Sequence, residues 1–264
     1  MSSEAIPILL TSSIIAHDLG VKLKDEATRL HHTIESIAHW TKISPHSPIV
    51  FCDGSNYDLR PIVNKEFPKS TIECLKFEND QQLVRLHGRG YGEGEIVRYA
   101  LEHSQLIREA DCFAKCTSKL WVKNFVECMH WWNGDLLCHG IFQSVFSPIQ
   151  ATNFKHIDTR FYIVNKSFYR QFFLFAHHNI NTSIGYGLEE CFHKIFQTEG
   201  ITRALFSVPP VIEGVGGGTA SYYRNSIKRV LKERLQIAIL RQRKEFSHLF
   251  ADRIRVITSR SGTN

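Results

Sequence analysis

Residues 48–58, PIVFCDGSNYD, decide the fold. Pro48 to Cys52 is a short apolar run bounded by turn formers, which reads as a strand. It empties into Asp53, Gly54, Ser55 and Asn56, the residue types that build tight polar loops. An α/β sheet presents its ligand loops at such strand ends. Outward to the N-terminus, Ile6 to Ile14 reads as a buried strand opening the same unit. Between the two, Leu23, Ala27, Leu30, Ile34 and Ile37 recur at helical spacing, with Asp25 and Glu26 in the first turn and Pro45 past the end. That stripe is expected to cover one face of the sheet. Outward to the C-terminus, Thr71 to Phe77 is a third strand. HGRGYGEGE (87–95) is a glycine-rich loop entering a helix with Ile96, Val97, Ala100 and Leu101 on one face, and Asp111 to Thr117 is a further strand. The succession β-α-β-α-β-α-β predicts an α/β fold with a mainly parallel sheet flanked by helices.

The second half is richer in aromatics, with Trp131-Trp132, the strand-like HIDTRFYIV and the helix candidates SFYRQFFLF and LEECFHKIF. Val208 to Gly218, VPPVIEGVGGG, breaks the pattern. The expected division is a catalytic domain over 1–220 and a basic C-terminal helix and tail over 221–264, packed on that domain or appended to it.

Bulk composition narrows the function classes. Of 264 residues, 43% are hydrophobic and 22% charged, which excludes disorder as a description of the whole chain. The seven cysteines include no CxxC pair and read as reduced core thiols. No basic segment precedes the first apolar run, and no stretch approaches the ~20 apolar residues of a membrane span. A cytoplasmic protein is expected. Its charge of +6 is uneven: residues 224–264 carry eleven Lys or Arg against three Asp or Glu, a local +8. Such a tail fits an anionic partner, or simply a solvated basic helix face.

Several residues are placed to bind a nucleotide. Asp53 and Asn56 follow the second strand, where a carboxylate accepts from ribose hydroxyls or a base; a capped turn has the same composition. Gly90 lies in a glycine-rich helix entry that can bring backbone N–H groups to phosphate, or merely connect. Lys115, Thr117, Lys119 and Asn124 gather at the end of a strand, where ammonium groups can offset the charge of a leaving diphosphate.

Residues 88–124, GRGYGEGEIVRYALEHSQLIREADCFAKCTSKLWVKN, resemble a stretch of bacterial capsule and lipopolysaccharide glycosyltransferases. There a glycine-rich loop, a helix and an acidic residue precede a strand carrying Phe-x-Lys-x-Thr-Gly-Arg and then an Asn. Ser118 and Lys119 stand where Gly and Arg are usual. The resemblance extends more weakly through PIVFCDGSNYDL, DTRFYIVNKSFY and GYGLEECFHKIF. It implies a GT-A-like (Rossmann-like) fold and transfer of a sugar from a nucleotide-sugar donor to a hydroxyl of a growing cell-surface glycan. The acceptor would be a glycan or lipid-linked glycan of O-antigen, capsule or lipopolysaccharide.

Metal-dependent enzymes of that fold hold a divalent ion on an Asp-x-Asp pair, and no such pair occurs here. The adjacent pairs His31-His32 and His177-His178 read as unsuited to a shared helical face, and no Cys/His cluster has zinc spacing. No cofactor and no metal ligand are therefore expected, with lysines in the ion's place. An inverting transfer needs a carboxylate to take the acceptor proton. Glu189, matching a Leu-Glu pair of the resembled family, is the expected base, with Glu190 its substitute; a first-turn glutamate is also ordinary helix chemistry. Asp158 and Arg160 are candidates for donor or acceptor contact, or a structural ion pair. Gly214 to Gly218, followed by Tyr222 and Tyr223, can close over the donor or simply link two parts. In the last helix Ile227, Leu231, Leu235 and Ala238 form a stripe amid Lys228, Arg229, Lys232, Arg241 and Lys244. The stripe is expected to dock on the protein's own core; peripheral contact with the inner face of the cytoplasmic membrane is the other use. Rival functions are sugar nucleotidyl transfer and nucleic-acid binding by the basic end. No nucleic-acid motif accompanies that charge, so no specific nucleic acid is expected as a partner.

Overall fold

Strand pairing in the computed structural model, which describes residues 5–17 and 20–253, follows the expected order of elements. In chain order these are β1 (Ile8–Ser12), α1 (Glu26–Ile43), β2 (Ile49–Asp53), α2 (Arg60–Glu66), β3 (Ile72–Lys76), α3 (Gln81–His87), α4 (Arg89–His103), α5 (Gln105–Glu109) and β4 (Cys112–Thr117). Then follow β5 (Leu120–Val122), α6 (Phe125–Met129), β6 (Leu136–Gln143), β7 (Asn153–Asn165), α7 (Lys166–Phe172) and α8 (Leu188–Thr198). Last come β8 (Ile212–Val215), β9 (Tyr222–Tyr223), α9 (Ile227–Gln242) and α10 (Lys244–Ser247).

The main sheet is six-stranded in the order β3-β2-β1-β4-β7-β6. β1 to β4 pair in parallel, while β7 runs against both β4 and β6. The α/β, mainly parallel architecture expected from the sequence is the one observed. Register sets Ser12 beside Asp53, Asp53 beside Lys76, and Thr11 beside Thr117, so the C-terminal ends of the parallel strands form one edge. Both faces of the sheet are covered. One core gathers Leu9, Val50, Val97, Tyr162 and Phe192 under α4 and α8; the other gathers Leu10, Phe51, Trp40, Phe125 and Phe161 under α1 and α6.

Three elements depart from expectation. The glycine-rich stretch is not a loop: α4 begins at Arg89 and runs through Gly90, Gly92 and Gly94, preceded by a helix, α3, rather than a strand. Its glycines serve close packing. A Cβ at Gly94 would collide with the His177 ring, one at Gly90 would lie 3.1 Å from Leu188 Cβ, and one at Gly92 3.2 Å from Val84. Second, α1 meets the sheet with only part of its expected stripe: Ile37 is buried and Leu30 packs partly on the core, while Arg29, Thr33, Ser36 and Trp40 fill the rest of the buried face in place of Leu23, Ala27 and Ile34. Polar groups are tolerated there because each finds a backbone partner: Ser36 Oγ and Trp40 Nε1 both donate to the Leu120 carbonyl, at 2.7 and 3.1 Å. Third, β9 pairs with β8, and β8 with β5, in a second, three-stranded sheet, so the boundary expected at 220 falls just before its last strand. The tail from 254 onward lies outside the described residues.

Candidate active site

The edge where the parallel strands end opens into a cavity of about 450 Å³. β1 supplies Thr11 and Ser12, with Ser13 just past its end; α1 supplies Arg29; α4 supplies Arg89, Gly92 and Glu93. Thr117 and Lys119 come from the end of β4, His156, Asp158 and Arg160 from β7, and Glu189 from α8. Residues 216–219 and Tyr223 add a further part of the wall.

Local rules explain how each side chain gets there. Between Cys138 and His139 the β6–β7 register steps, from Cys138 beside Tyr162 to His139 beside Asp158, leaving Thr159, Arg160 and Phe161 without a partner on β6. At α8, Glu190 folds back to accept from the Gly187 backbone N–H at 2.9 Å, the one half of a capping box that a glycine N-cap permits. Glu190 is engaged in that cap, and Glu189 beside it lines the cavity. The chain leaves β4 through Lys119 with φ of +74°, a left-handed conformation that costs a non-glycine residue on the order of 1 kcal/mol. The backbone freedom that the resembled family supplies with a glycine is thus required at 119, not at Ser118. Opposite, a Cβ at Gly214 would run into the Lys119 carbonyl, and Val215 N–H donates to that carbonyl at 2.9 Å. The glycine loop follows directly. A Cβ at Gly217 would lie 3.3 Å from Lys119 Cε and 3.4 Å from Arg29 Nη1, and one at Gly218 would collide with the Arg89 guanidinium.

The expected site residues divide into two groups. Thr117, Lys119, Asp158, Arg160 and Glu189 line the cavity. Asp53, Asn56, Gly90, Lys115 and Asn124 do not. Asp53 is wholly buried, and its carboxylate accepts from Ile14 N, Ser55 N, Ser55 Oγ and Tyr57 N at 2.6–3.1 Å. It is the capped-turn alternative: it stands behind the wall and shapes β1's exit. Asn56 is exposed, at a left-handed turn, φ +61°. Gly90 packs on Leu188. Lys115, 1% exposed, is consumed by Glu93, Thr117 Oγ1 and the Thr159 carbonyl. Asn124 pins the proline loop, donating to Pro209 O at 3.1 Å and accepting from Val211 N at 2.7 Å.

Arg29, Arg89 and Glu93 were not legible as site residues. Arg29 is 5% exposed and donates to the carbonyls of Ser13, Ile14 and Leu23. Glu93 accepts from Lys115, from Thr117 Oγ1 at 2.8 Å and from Thr11 Oγ1 at 3.2 Å. Burial pushes its carboxyl up, but Lys115 and the two hydroxyls outweigh burial and hold it below the ordinary range. Asp158 is held down in the same way by Arg160, whose guanidinium stacks 4.8 Å from the Tyr223 ring. Glu189 differs from both. Among the described residues it forms no salt bridge. Burial raises its carboxyl, its own backbone N–H opposes this, and Glu93, Asp158 and Glu190 add to the rise. Burial, with Arg29 beside it, pulls Lys119 down to about 7. One wall thus carries cations around the glycine loop, and another carries a carboxylate inclined to hold a proton.

Away from the cavity, the adjacent histidines do meet a common partner. Glu95 Oε1 lies 2.6 Å from His177 Nε2 and 3.5 Å from His178 Nε2, and His31, His32 and Glu35 also form a group able to hold an ion. Arg98 occupies the other Glu95 oxygen at 2.6 Å, and the His177 contact first holds that carboxyl down to about 2. The group ties α4 to the turn at Ala176–Asn179.

No family model and no curated protein matches the chain. Several solved structures align with the chain at TM-scores below 0.5. The inositol-1-phosphate CTP transferase from T. maritima aligns with TM-score 0.49 and 10% identity over 90% of this chain and 97% of that one. The galactosyltransferase LgtC, in complex with donor and acceptor sugar analogs, aligns with TM-score 0.47 and 10% identity over 72% and 70%. Mouse xyloside xylosyltransferase 1 aligns with TM-score 0.42 and 10% identity over 76% and 83%. Likenesses this distant carry no argument about chemistry, which rests on the cavity itself.

Proposed function

We propose that this chain is a nucleotide-sugar-dependent glycosyltransferase that moves a sugar to a hydroxyl of a growing cell-surface glycan at the inner face of the cytoplasmic membrane. The observation that carries the reading is the division of one cavity between a cationic wall and a proton-accepting carboxylate. Its volume suits a nucleotide-sized ligand. The donor diphosphate sits against Arg29, Lys119, Arg89 and the backbone of Gly216–Gly218, where glycines permit close approach. The acceptor hydroxyl faces Glu189.

In the reaction the bond from the anomeric carbon to the diphosphate oxygen breaks as the acceptor oxygen bonds that carbon. The acceptor proton passes to Glu189. The nucleoside diphosphate leaves with its added negative charge offset by Lys119 and Arg29, fixed before the reaction begins. Burial raises the basicity of Glu189, which is what a general base requires. In this reading the cations take the place of a metal held on an Asp-x-Asp pair, and transfer proceeds with inversion.

Thermal stabilisation of the purified chain by UDP, GDP, CDP and CMP, with EDTA and with magnesium or manganese, tests donor binding. A shift with one nucleotide that survives EDTA is expected, lost in Arg29→Ala and Lys119→Ala. Glu189→Gln is expected to keep the shift while transfer falls by about 100-fold or more. No shift with any nucleotide, or full transfer by Glu189→Gln, would sink the proposal. A shift only with a nucleoside triphosphate would move the chain to nucleotidyl transfer.

A further inference from the structure

The last helix does not dock as its sequence suggests. α9 buries Ile237 and Leu240, and Gln236 donates to the Phe142 carbonyl at 3.2 Å. The stripe expected to meet the core faces outward instead: Ile227 is 80% exposed, Leu231 60% and Leu235 56%. Three large aliphatics one turn apart are far more exposed than packing on the protein's own core would leave them. Nothing among the described residues covers them.

The charges beside the stripe indicate what does. At 3.6 residues per turn, Lys228 and Lys232 flank it on one side and Arg234 and Arg241 on the other. Arg234 is spent on Glu127, at 2.7 and 2.8 Å. Lys228, Lys232 and Arg241 are exposed. The helix's single acid, Glu233, turns aside to Arg229 at 2.9 Å. The apolar surface continues past Lys232, whose ammonium lies 5.9 Å from the ring of Phe146, itself 46% exposed.

We infer that this face docks on an anionic lipid bilayer, the stripe entering the headgroup–acyl boundary and the flanking cations meeting lipid phosphates. A second copy of the chain fits poorly, because two such stripes brought together set cation against cation, and the single acid of α9, Glu233, is paired with Arg229. A nucleic acid offers phosphates but nothing for three exposed aliphatic side chains. The bilayer satisfies both halves of the face. The inference stands on α9 alone and holds or fails whatever the cavity transfers.

Flotation of the full chain with vesicles of phosphatidylcholine, or of phosphatidylcholine with phosphatidylglycerol, tests it. At 0.1 M salt the chain is expected to float with the anionic vesicles, at least about 10-fold more tightly than with the neutral ones, and to be released as salt rises to about 0.5 M. Leu231→Glu/Leu235→Glu is expected to weaken binding by about 100-fold, roughly tenfold for each leucine withdrawn, with Tm unchanged. Leu231→Gln alone serves as the milder variant should the double change disturb folding. Failure to float at 0.1 M salt overturns the inference, as does equal flotation by the leucine variants. A wild-type dimer that the leucine changes dissociate in light scattering, without vesicle binding, would assign the face to a second copy. Oligonucleotide binding indifferent to those changes, again without vesicle binding, would assign the charges to nucleic acid.

Discussion

The buried Lys115 and the part-buried Glu93 of the cavity wall form an ion pair, and Glu93→Gln tests its role. The substitution keeps the shape and an acceptor oxygen for Thr11 and Thr117 but removes the charge facing an ammonium that is 1% exposed. Stranding one member of a buried pair costs about 3–5 kcal/mol; Lys115 keeps Thr117 Oγ1 at 3.2 Å and the Thr159 carbonyl at 2.8 Å, so the lower end, about 3 kcal/mol, is expected. For a chain of this length that is a fall of roughly 6–12 °C in Tm. Scanning calorimetry or thermal circular dichroism reads it directly. The pH profile adds a second check. The Glu93 carboxyl lies below its ordinary value of 4.5 in the folded chain, so its contribution is complete above 4.5 and is lost as pH falls through the depressed value. The wild type should lose its advantage over Glu93→Gln in that acid window. Replacing both partners, Glu93→Leu with Lys115→Met, should recover much of the loss. A fall of under about 2 °C for Glu93→Gln, with an acid profile parallel to wild type, would refute the reasoning.

Asp53→Asn should cost about 2 kcal/mol, since an amide nitrogen cannot accept from Ile14 N–H, yet leave nucleotide affinity per folded molecule within about fivefold; denaturation and titration calorimetry together separate the two. Gly94→Ala should destabilise by about 2 kcal/mol even though alanine is the better helix former, because His177 occupies the space; a higher Tm would show that the glycine is there for something else. Affinity for a nucleoside diphosphate should weaken by up to about tenfold per unit as pH rises above about 7, where Lys119 loses its proton, and Lys119→Ala should abolish that dependence in a pH-resolved titration.

The sheet was legible because apolar runs between turn formers announce parallel strands whatever surrounds them: Ile49–Asp53 and Cys112–Thr117 lie within a residue of their expected limits. Thr117, Lys119 and Glu189 were legible as cavity-lining candidates because they sit at a strand end or a helix start, whereas Asp158 and Arg160 lie within β7, next to its register step. Arg29 was not legible. It lies on a helix whose apolar spacing points elsewhere, and its burial is tolerated only because the carbonyls of Ser13, Ile14 and Leu23 surround it. The glycines of α4 misled because composition cannot separate a glycine that bends a chain from one that admits a neighbour's ring. Asp53 and Asn124 misled in the opposite direction, polar residues at strand ends whose hydrogen bonds all turn inward.

The short span between the cavity and α9 has a consequence for substrate choice. Tyr223 borders the cavity and α9 begins at Ile227, so only three residues lie between them, no more than about 14 Å of chain. With α9 lying flat on a bilayer, that tether works as a ruler. Under the proposed function it would fix the height at which an acceptor hydroxyl must be offered, so that acceptors would be sorted by their reach above the lipid before any sugar is recognised.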